Sequence, residues 1–287
     1  MNIQSISIVV PTKGCVNKCK FCVSRMHESK YENEFDIIQI EKRIRYAVNN
    51  GVNTCIITGT GEALQNTKFL YNLNKVFDTL NHPFPNVELQ TTGVLLVNNL
   101  QAEHFNLELL KSLRVNTISV SVSDIFDDVK NMDIIGVTEF LRFRLSELID
   151  IIKSNRFNLR LSLNMTNAYN DISLNDLFHK LKELKADHVT FRKLWHNDDN
   201  TLEQTNWVKY NACKPITLDL ISEYIQKNGK ALYKLPFGYI AYSLMGMSIV
   251  IDDNCMSKND QDKLKYVILR ENGKLYCQWD DEGSLIF

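Results

Sequence analysis

Cys15-Val16-Asn17-Lys18-Cys19-Lys20-Phe21-Cys22 places three thiols within eight residues, at spacing C-x3-C-x2-C. An apolar run, Ile6 to Val10, and a Pro11-Thr12-Lys13-Gly14 turn precede it, so the thiols sit on a loop leaving the end of a first strand. A loop can wrap three sulfurs around one object; a straight strand or helix cannot. Thiolates suit zinc and iron–sulfur clusters. A structural zinc site takes four ligands, usually as two short pairs, whereas here three ligands lie close together and His27 falls five residues past Cys22. A four-iron cluster held by three cysteines leaves one iron without a protein ligand. Such an open position is where a metal site takes a cofactor or substrate. On the residues alone, a zinc knuckle and a chance group of thiols stay open beside the cluster.

Outward from this loop, the hydrophobic period alternates between strand and helix. Ile6–Val10, Thr54–Thr58, Val87–Thr91, Thr117–Val122, Asn158–Leu163 and His188–Phe191 read as strands. Phe35–Asn50, Lys68–Leu80, Leu107–Leu113, Thr138–Ser154 (capped at Thr138) and Leu174–Leu184 read as helices. Strands alternating with helices argue for βα units in a parallel barrel or open sheet, with the chemistry on loops at the C-terminal strand ends. The pattern changes near Trp195. Residues 195–212 read as a polar loop carrying His196, Asp198 and Asp199, and Ile216–Lys227 reads as a helix. Tyr239–Leu244 and Ser248–Ile251 read as strands, and Tyr266–Arg270 with Lys274–Gln278 as a hairpin about Asn272-Gly273.

The cysteine spacing, with Phe21 just before the third thiol, resembles the radical S-adenosylmethionine (radical SAM) superfamily. The resemblance covers residues 1–200 and implies an α/β fold: a partial (β/α)6 TIM-like barrel of the radical SAM type. A small α+β extension, residues 201–287, would close the barrel and select the substrate. Cys15, Cys19 and Cys22 would hold a 4Fe–4S cluster whose open iron chelates S-adenosyl-L-methionine (AdoMet). Phe21 would pack near the cluster or the adenine. Gly59-Thr60-Gly61-Glu62, after the second strand, is similar to the family's Gly-Glu motif for the amino end of AdoMet; Ala63 stands where the family often has Pro. Thr91-Thr92-Gly93 resembles a Thr-Asn-Gly-like element, with Thr92 in place of Asn. Ser121 matches the Ser of a Val-Ser-Leu-Asp-like strand, and Asn164 matches an Asn near the ribose or carboxylate. Arg192 resembles an Arg of the molybdenum-cofactor cyclase-like branch; an Arg there can pair with a carboxylate or sit in a structural ion pair.

The implied activity is reductive cleavage of AdoMet to a 5′-deoxyadenosyl radical, which takes hydrogen from a small-molecule, nucleotide or peptide substrate. An RNA- or DNA-modifying radical enzyme is the alternative within the class, and a non-catalytic zinc-binding interaction module is the alternative outside it. A flavodoxin- or ferredoxin-like donor would approach the basic loop carrying Lys13, Lys18, Lys20, Arg25 and Lys30.

The 287 residues carry 33 basic and 34 acidic side chains, a net charge of −1 that makes no general case for long nucleic acid. The longest apolar run, 238–251, is too short to span a bilayer. Seven cysteines at uneven spacing do not form a disulfide framework, which points to a reducing, cytoplasmic setting. Cys55 reads as core. Cys213, Cys255 and Cys277 leave open a second cluster, a redox-active thiol or plain structural thiols.

Overall fold

The computed structural model describes residues 3–26, 36–98, 105–199, 201–235, 239–252, 264–279 and 281–287. His27, Lys30 and Cys255 lie outside them. The first half alternates as its period demands: β1 (Ile3–Val10), α1 (Ile37–Asn49), β2 (Thr54–Gly59), α2 (Thr67–Thr79) and β3 (Asn86–Thr91). There follow α3 (Val94–Val97), α4 (Phe105–Ser112), β4 (Thr117–Val122), α5 (Asp128–Ile135) and α6 (Leu145–Ser154). Next come β5 (Asn158–Asn164), α7 (Leu174–Glu183), β6 (His188–Arg192), α8 (Glu203–Asn211) and α9 (Pro215–Asn228). Among the described residues five more strands follow: β7 (Lys230–Lys234), β8 (Ile240–Leu244), β9 (Met247–Asp252), β10 (Leu264–Leu269) and β11 (Leu275–Tyr276).

Local chemistry sets the helix starts. Asp36 accepts from Ile38 N and Gln39 N, while Ile40, Ile44 and Ala47 bury one face of α1. Asn66 caps α2 through Phe69 N and donates Nδ2 to the Pro11 carbonyl at 2.7 Å, fastening α2 to the end of β1.

Strands β1 to β6 are parallel and adjacent in chain order, so right-handed crossovers place their helices on one face. That face is apolar: Ile118, Val120, Val122, Leu159, Leu161 and Leu163 join the helix side chains in one core. The opposite face is polar, with Ser119 and Ser121 on β4 and Arg160, Ser162 and Asn164 on β5. Aliphatic residues fill the interior of an ordinary (β/α)8 barrel; this interior carries hydroxyls and charges.

The sheet order is β11-β10-β1-β2-β3-β4-β5-β6-β9-β8-β7. Among the described residues the two end strands, β11 and β7, do not pair with each other, so the barrel is partial. Among the described residues, those of the C-terminal part form no separate layer. They add β10 beside β1 and β9 beside β6, both parallel, and so extend the sheet at each edge.

Two sequence expectations are corrected. Thr138–Ser154 is not one helix: Thr138 makes no side-chain cap, the chain is extended at Arg142 and Arg144, and α6 begins only at Leu145. Leu141 and Phe143 alternate into the core across that break, and the Glu147 carboxylate accepts the Arg144 N–H to start the helix. Residues 195–212 are not wholly loop. Residues 203–211 form α8, a polar helix whose amphipathic period is too weak to read and which tertiary contacts hold in place.

Candidate active site

The cysteine loop leaves β1 at its C-terminal end and is pinned by four neighbours. Val16 N donates to Gln65 Oε1 at 2.8 Å. Lys18 N and Lys20 N donate to the Gly136 and Ile134 carbonyls at the end of α5, at 3.3 and 3.1 Å. Gln204 on α8 donates Nε2 to the Phe21 carbonyl at 3.0 Å and to the Trp195 carbonyl at 3.0 Å. Asn17 donates Nδ2 to Thr92 Oγ1 at 2.8 Å. The Phe21 ring lies 6.3 Å from that of Trp207 on α8, so this aromatic packs against the C-terminal region.

Cys15 and Cys19 lie within electrostatic reach of each other, of Cys22 and of Glu62. The Cys15 thiol is pushed up to about 11, chiefly by partial burial, which the Asn17 N–H opposes and the nearby Glu62 and Cys22 reinforce. Cys19 is driven well above the usual thiol range, first by burial, then by Cys22, Cys15 and Glu62. Three sulfurs and one carboxylate therefore share a small volume. Among the described residues no three His, Cys, Asp or Glu side chains converge on one metal-ion position. Three thiols on one loop fit a cluster, in which each sulfur binds a different iron.

Gly59 ends β2, and Thr60, Gly61 and Glu62 follow it, with Gly61 against the turn that leads into the cysteine loop. A β-carbon on Gly61 would stand 2.3 Å from Thr12 Oγ1 and 2.4 Å from the Gly14 carbonyl, so only glycine allows this approach. Thr60 donates its hydroxyl to Glu271, in the turn between β10 and β11. Glu62 is buried at 4% exposure and accepts from Thr91 Oγ1 (2.7 Å), Thr92 N (3.1 Å) and Thr92 Oγ1 (3.1 Å). Burial raises its carboxyl above the usual range, and these bonds pull it back. It forms no ion pair among the described residues.

The remaining expected residues spread along the polar wall. Ser121 is half-buried on β4, and Asn164 Nδ2 lies 3.5 Å from Ser123 Oγ. Arg192, at the end of β6, faces Asp252 at the end of β9 with Nε 3.7 Å from Oδ2. That is too long for a hydrogen bond, and Arg192 Nε and Asp252 Oδ1 have no hydrogen-bond partner. Cys213 donates its N–H to the Met165 carbonyl just past β5, and burial pushes its thiol up to about 11 although Lys193 lowers it. Cys55 is fully buried in β2. Asp198 and Asp199 are exposed, and Asp199 caps the turn at Thr201.

Asn17, Gly136, Gln204, Asp252 and Glu271 belong to this constellation without having been singled out in the sequence. Gly136 had a readable signal: Asp127 caps α5 through Lys130 N, and Gly136 ends it in the left-handed region. The others had none, because their partners are remote in the chain.

The family model of the radical SAM superfamily matches residues 9–138, the span that holds the cysteine loop, Glu62, Thr92 and Ser121. The chain carries a radical SAM domain. The α/β, parallel-rich sheet agrees with that match. SuiB of Streptococcus suis, solved bound to the precursor peptide SuiA, is similar at TM-score 0.58 and 16% identity. That likeness covers 96% of this chain and 59% of SuiB, so the chain spans little more than half that relative's length. The structure of anSMEcpe with bound AdoMet and the Kp18Cys peptide is similar at TM-score 0.62 and 13% identity, over 99% of this chain and 76% of that one. At these identities the likeness is one of fold. No curated protein sequence matches. Among the described residues no helix is long and apolar enough to cross a membrane.

Proposed function

We propose that this chain binds a 4Fe–4S cluster through Cys15, Cys19 and Cys22, cleaves AdoMet reductively, and directs hydrogen abstraction at a peptide. The observation that carries the reading is the three-thiol loop, fixed at four points beside a buried, hydrogen-bonded carboxylate that forms no ion pair. When bound and reduced, the cluster supplies the electron that splits AdoMet into methionine and a 5′-deoxyadenosyl radical. The chain's own residues bind and orient. Glu62, held by Thr91 and Thr92, accepts from the amino end of AdoMet, and Gly59, Thr60 and Gly61 let backbone approach it. Ser121 and Asn164 lie deeper along the wall, where hydroxyl and amide groups can meet the ribose. Arg192 pairs loosely with Asp252, its Nε making no hydrogen bond, and its guanidinium can also take a carboxylate. Phe21 with Trp207 shields the loop from water.

The peptide preference rests on two supports. The fold likeness to two peptide-bound structures includes the C-terminal region. The inner wall is polar from floor to mouth, and Ser162 Oγ there is buried without a partner. Such a wall suits a ligand rich in amide groups better than an apolar one. The added edge strands and α8 would select that substrate. Lys13, Lys18 and Lys20 are exposed around the thiols and suit an acidic flavodoxin- or ferredoxin-like donor. The thiols and the cluster suit the cytoplasm.

Iron and acid-labile sulfide per chain after anaerobic reconstitution test the reading, on wild type and on the Cys15→Ala/Cys19→Ala/Cys22→Ala variant, with 5′-deoxyadenosine measured under reductant. About four irons are expected, lost in the variant. Four irons retained there would place a cluster on the C-terminal cysteines, and stoichiometric zinc without iron would sink the proposal. For the substrate, deuterium should enter 5′-deoxyadenosine from a perdeuterated peptide fraction and not from a nucleotide fraction.

A further inference from the structure

Asn17 lies inside the cysteine motif yet makes no expected ligand contact. Its side chain is buried, at 6% exposure. Its backbone N–H donates to Cys15 Sγ at 3.4 Å, and its Nδ2 donates to Thr92 Oγ1 at 2.8 Å. Thr92 Oγ1 in turn donates to Glu62 Oε2 at 3.1 Å. The direction of this chain is set from its far end. A carboxylate only accepts, so the Thr92 proton is committed to Glu62. Thr92 Oγ1 then has only lone pairs to offer Asn17, which must turn its NH2 toward Thr92. The amide oxygen, Oδ1, is thereby left over, and it is buried with no hydrogen-bond partner. Thr12 Oγ1, against Gly61 in the neighbouring loop, is also buried without one.

The junction between the two loops thus has a surplus of acceptors. Glu62 forms no ion pair among the described residues, and Asn17 Oδ1 has no donor. A buried acceptor left unmade is costly, so such a site is completed by a ligand that brings N–H donors. We propose that Asn17 is a positioning residue: it sets the cysteine loop in register with Glu62 through Thr92, and it holds Oδ1 as an acceptor for the ammonium of an amino-acid ligand. This rests on the reading that the site takes AdoMet, whose aminoacyl end is such a group. Asn17, Thr92 and Glu62 act as one unit, because removing the middle hydroxyl frees the Asn17 amide to turn.

The test is AdoMet binding to reconstituted, iron-loaded protein by equilibrium dialysis, on wild type, Asn17→Ala, Thr92→Val and the double variant. The AdoMet-induced change in the reduced-cluster EPR signal is titrated in parallel. Each single variant is expected to keep its iron and to weaken binding tenfold or more. The EPR change should then need correspondingly more AdoMet. The double variant should bind no more than threefold worse than the weaker single. Three results would overturn the inference: Asn17→Ala within twofold of wild type, single losses that multiply in the double variant, or AdoMet binding that falls only in step with iron. Wild type that holds iron but binds no AdoMet would sink the functional reading itself; wild type and Asn17→Ala binding alike would sink the role of Asn17 alone.

Discussion

At Gly136 the backbone is left-handed (φ 64°), and an added β-carbon would stand 2.5 Å from the Lys18 carbonyl. Gly14 is also left-handed (φ 76°), but a β-carbon there meets nothing within 4 Å. The pair separates backbone strain from steric contact. Gly14→Ala should cost about 1 kcal/mol of stability and leave iron loading near wild type. Gly136→Ala should cost at least as much and also displace the loop at Lys18, cutting iron per chain by half or more. Thermal unfolding and iron analysis of the two variants check this, and equal iron loading would count against the Gly136 contact. At this scale the positions of the cysteine loop and Glu62 were legible, because turn signals after β1 and β2 place both at strand ends. Asn17 was not, since its partner Thr92 lies 75 residues away.

Helix α8 acts as a clamp. Gln204 bridges the Phe21 and Trp195 carbonyls, and Trp207 packs on Phe21. Gln204→Ala leaves both carbonyls without this donor, so iron should be lost faster to a chelator, by several-fold, with little change in thermal stability. Unchanged chelation kinetics would remove the clamp. The floor of the barrel makes a different prediction. Glu88 on β3 pairs with Arg160 on β5 at 3.1 Å, and His188 on β6 lies beside Arg160 in register. Burial and then Arg160 and Lys153 lower the His188 pKa, opposed by Asp187 and Glu88. A histidine whose folded pKa lies below its unfolded value takes up fewer protons when folded. Its contribution is therefore intact above about pH 6.5 and is lost as pH falls through the unfolded value toward the folded one. Urea midpoints of wild type should drop between pH 7 and pH 5 more steeply than those of His188→Asn. Parallel pH profiles would contradict this.

The molecule is held together at both edges by residues from its own C-terminus. Beyond residue 200, β10 covers the open side of β1 and β9 covers that of β6. A chain ending at residue 200 would expose two long parallel edges, each a template for association. It should be insoluble or multimeric on size-exclusion chromatography, and a soluble monomer would show the first 200 residues to be self-sufficient. The sheet itself runs on past residue 200, through β9 beside β6 and β10 beside β1.

The alternation of strand and helix, the strand-end cysteine loop and the polar Ser119/Ser121 and Arg160/Ser162/Asn164 faces all follow from short-range pattern. A period of two or 3.6, a turn or a metal-binding spacing is written within a dozen residues, and the parallel (β/α) core follows from it with the usual crossover hand. The break before Leu145 and helix α8 were decided by packing, because their local periodicity is weak and long-range contacts outweigh propensity. The same holds for the placement of β9 and β10 on opposite edges and the meeting of Asn17, Thr92 and Glu62. Each joins segments remote in the chain, and no local pattern records which distant backbone or hydroxyl a side chain will find once the sheet has closed.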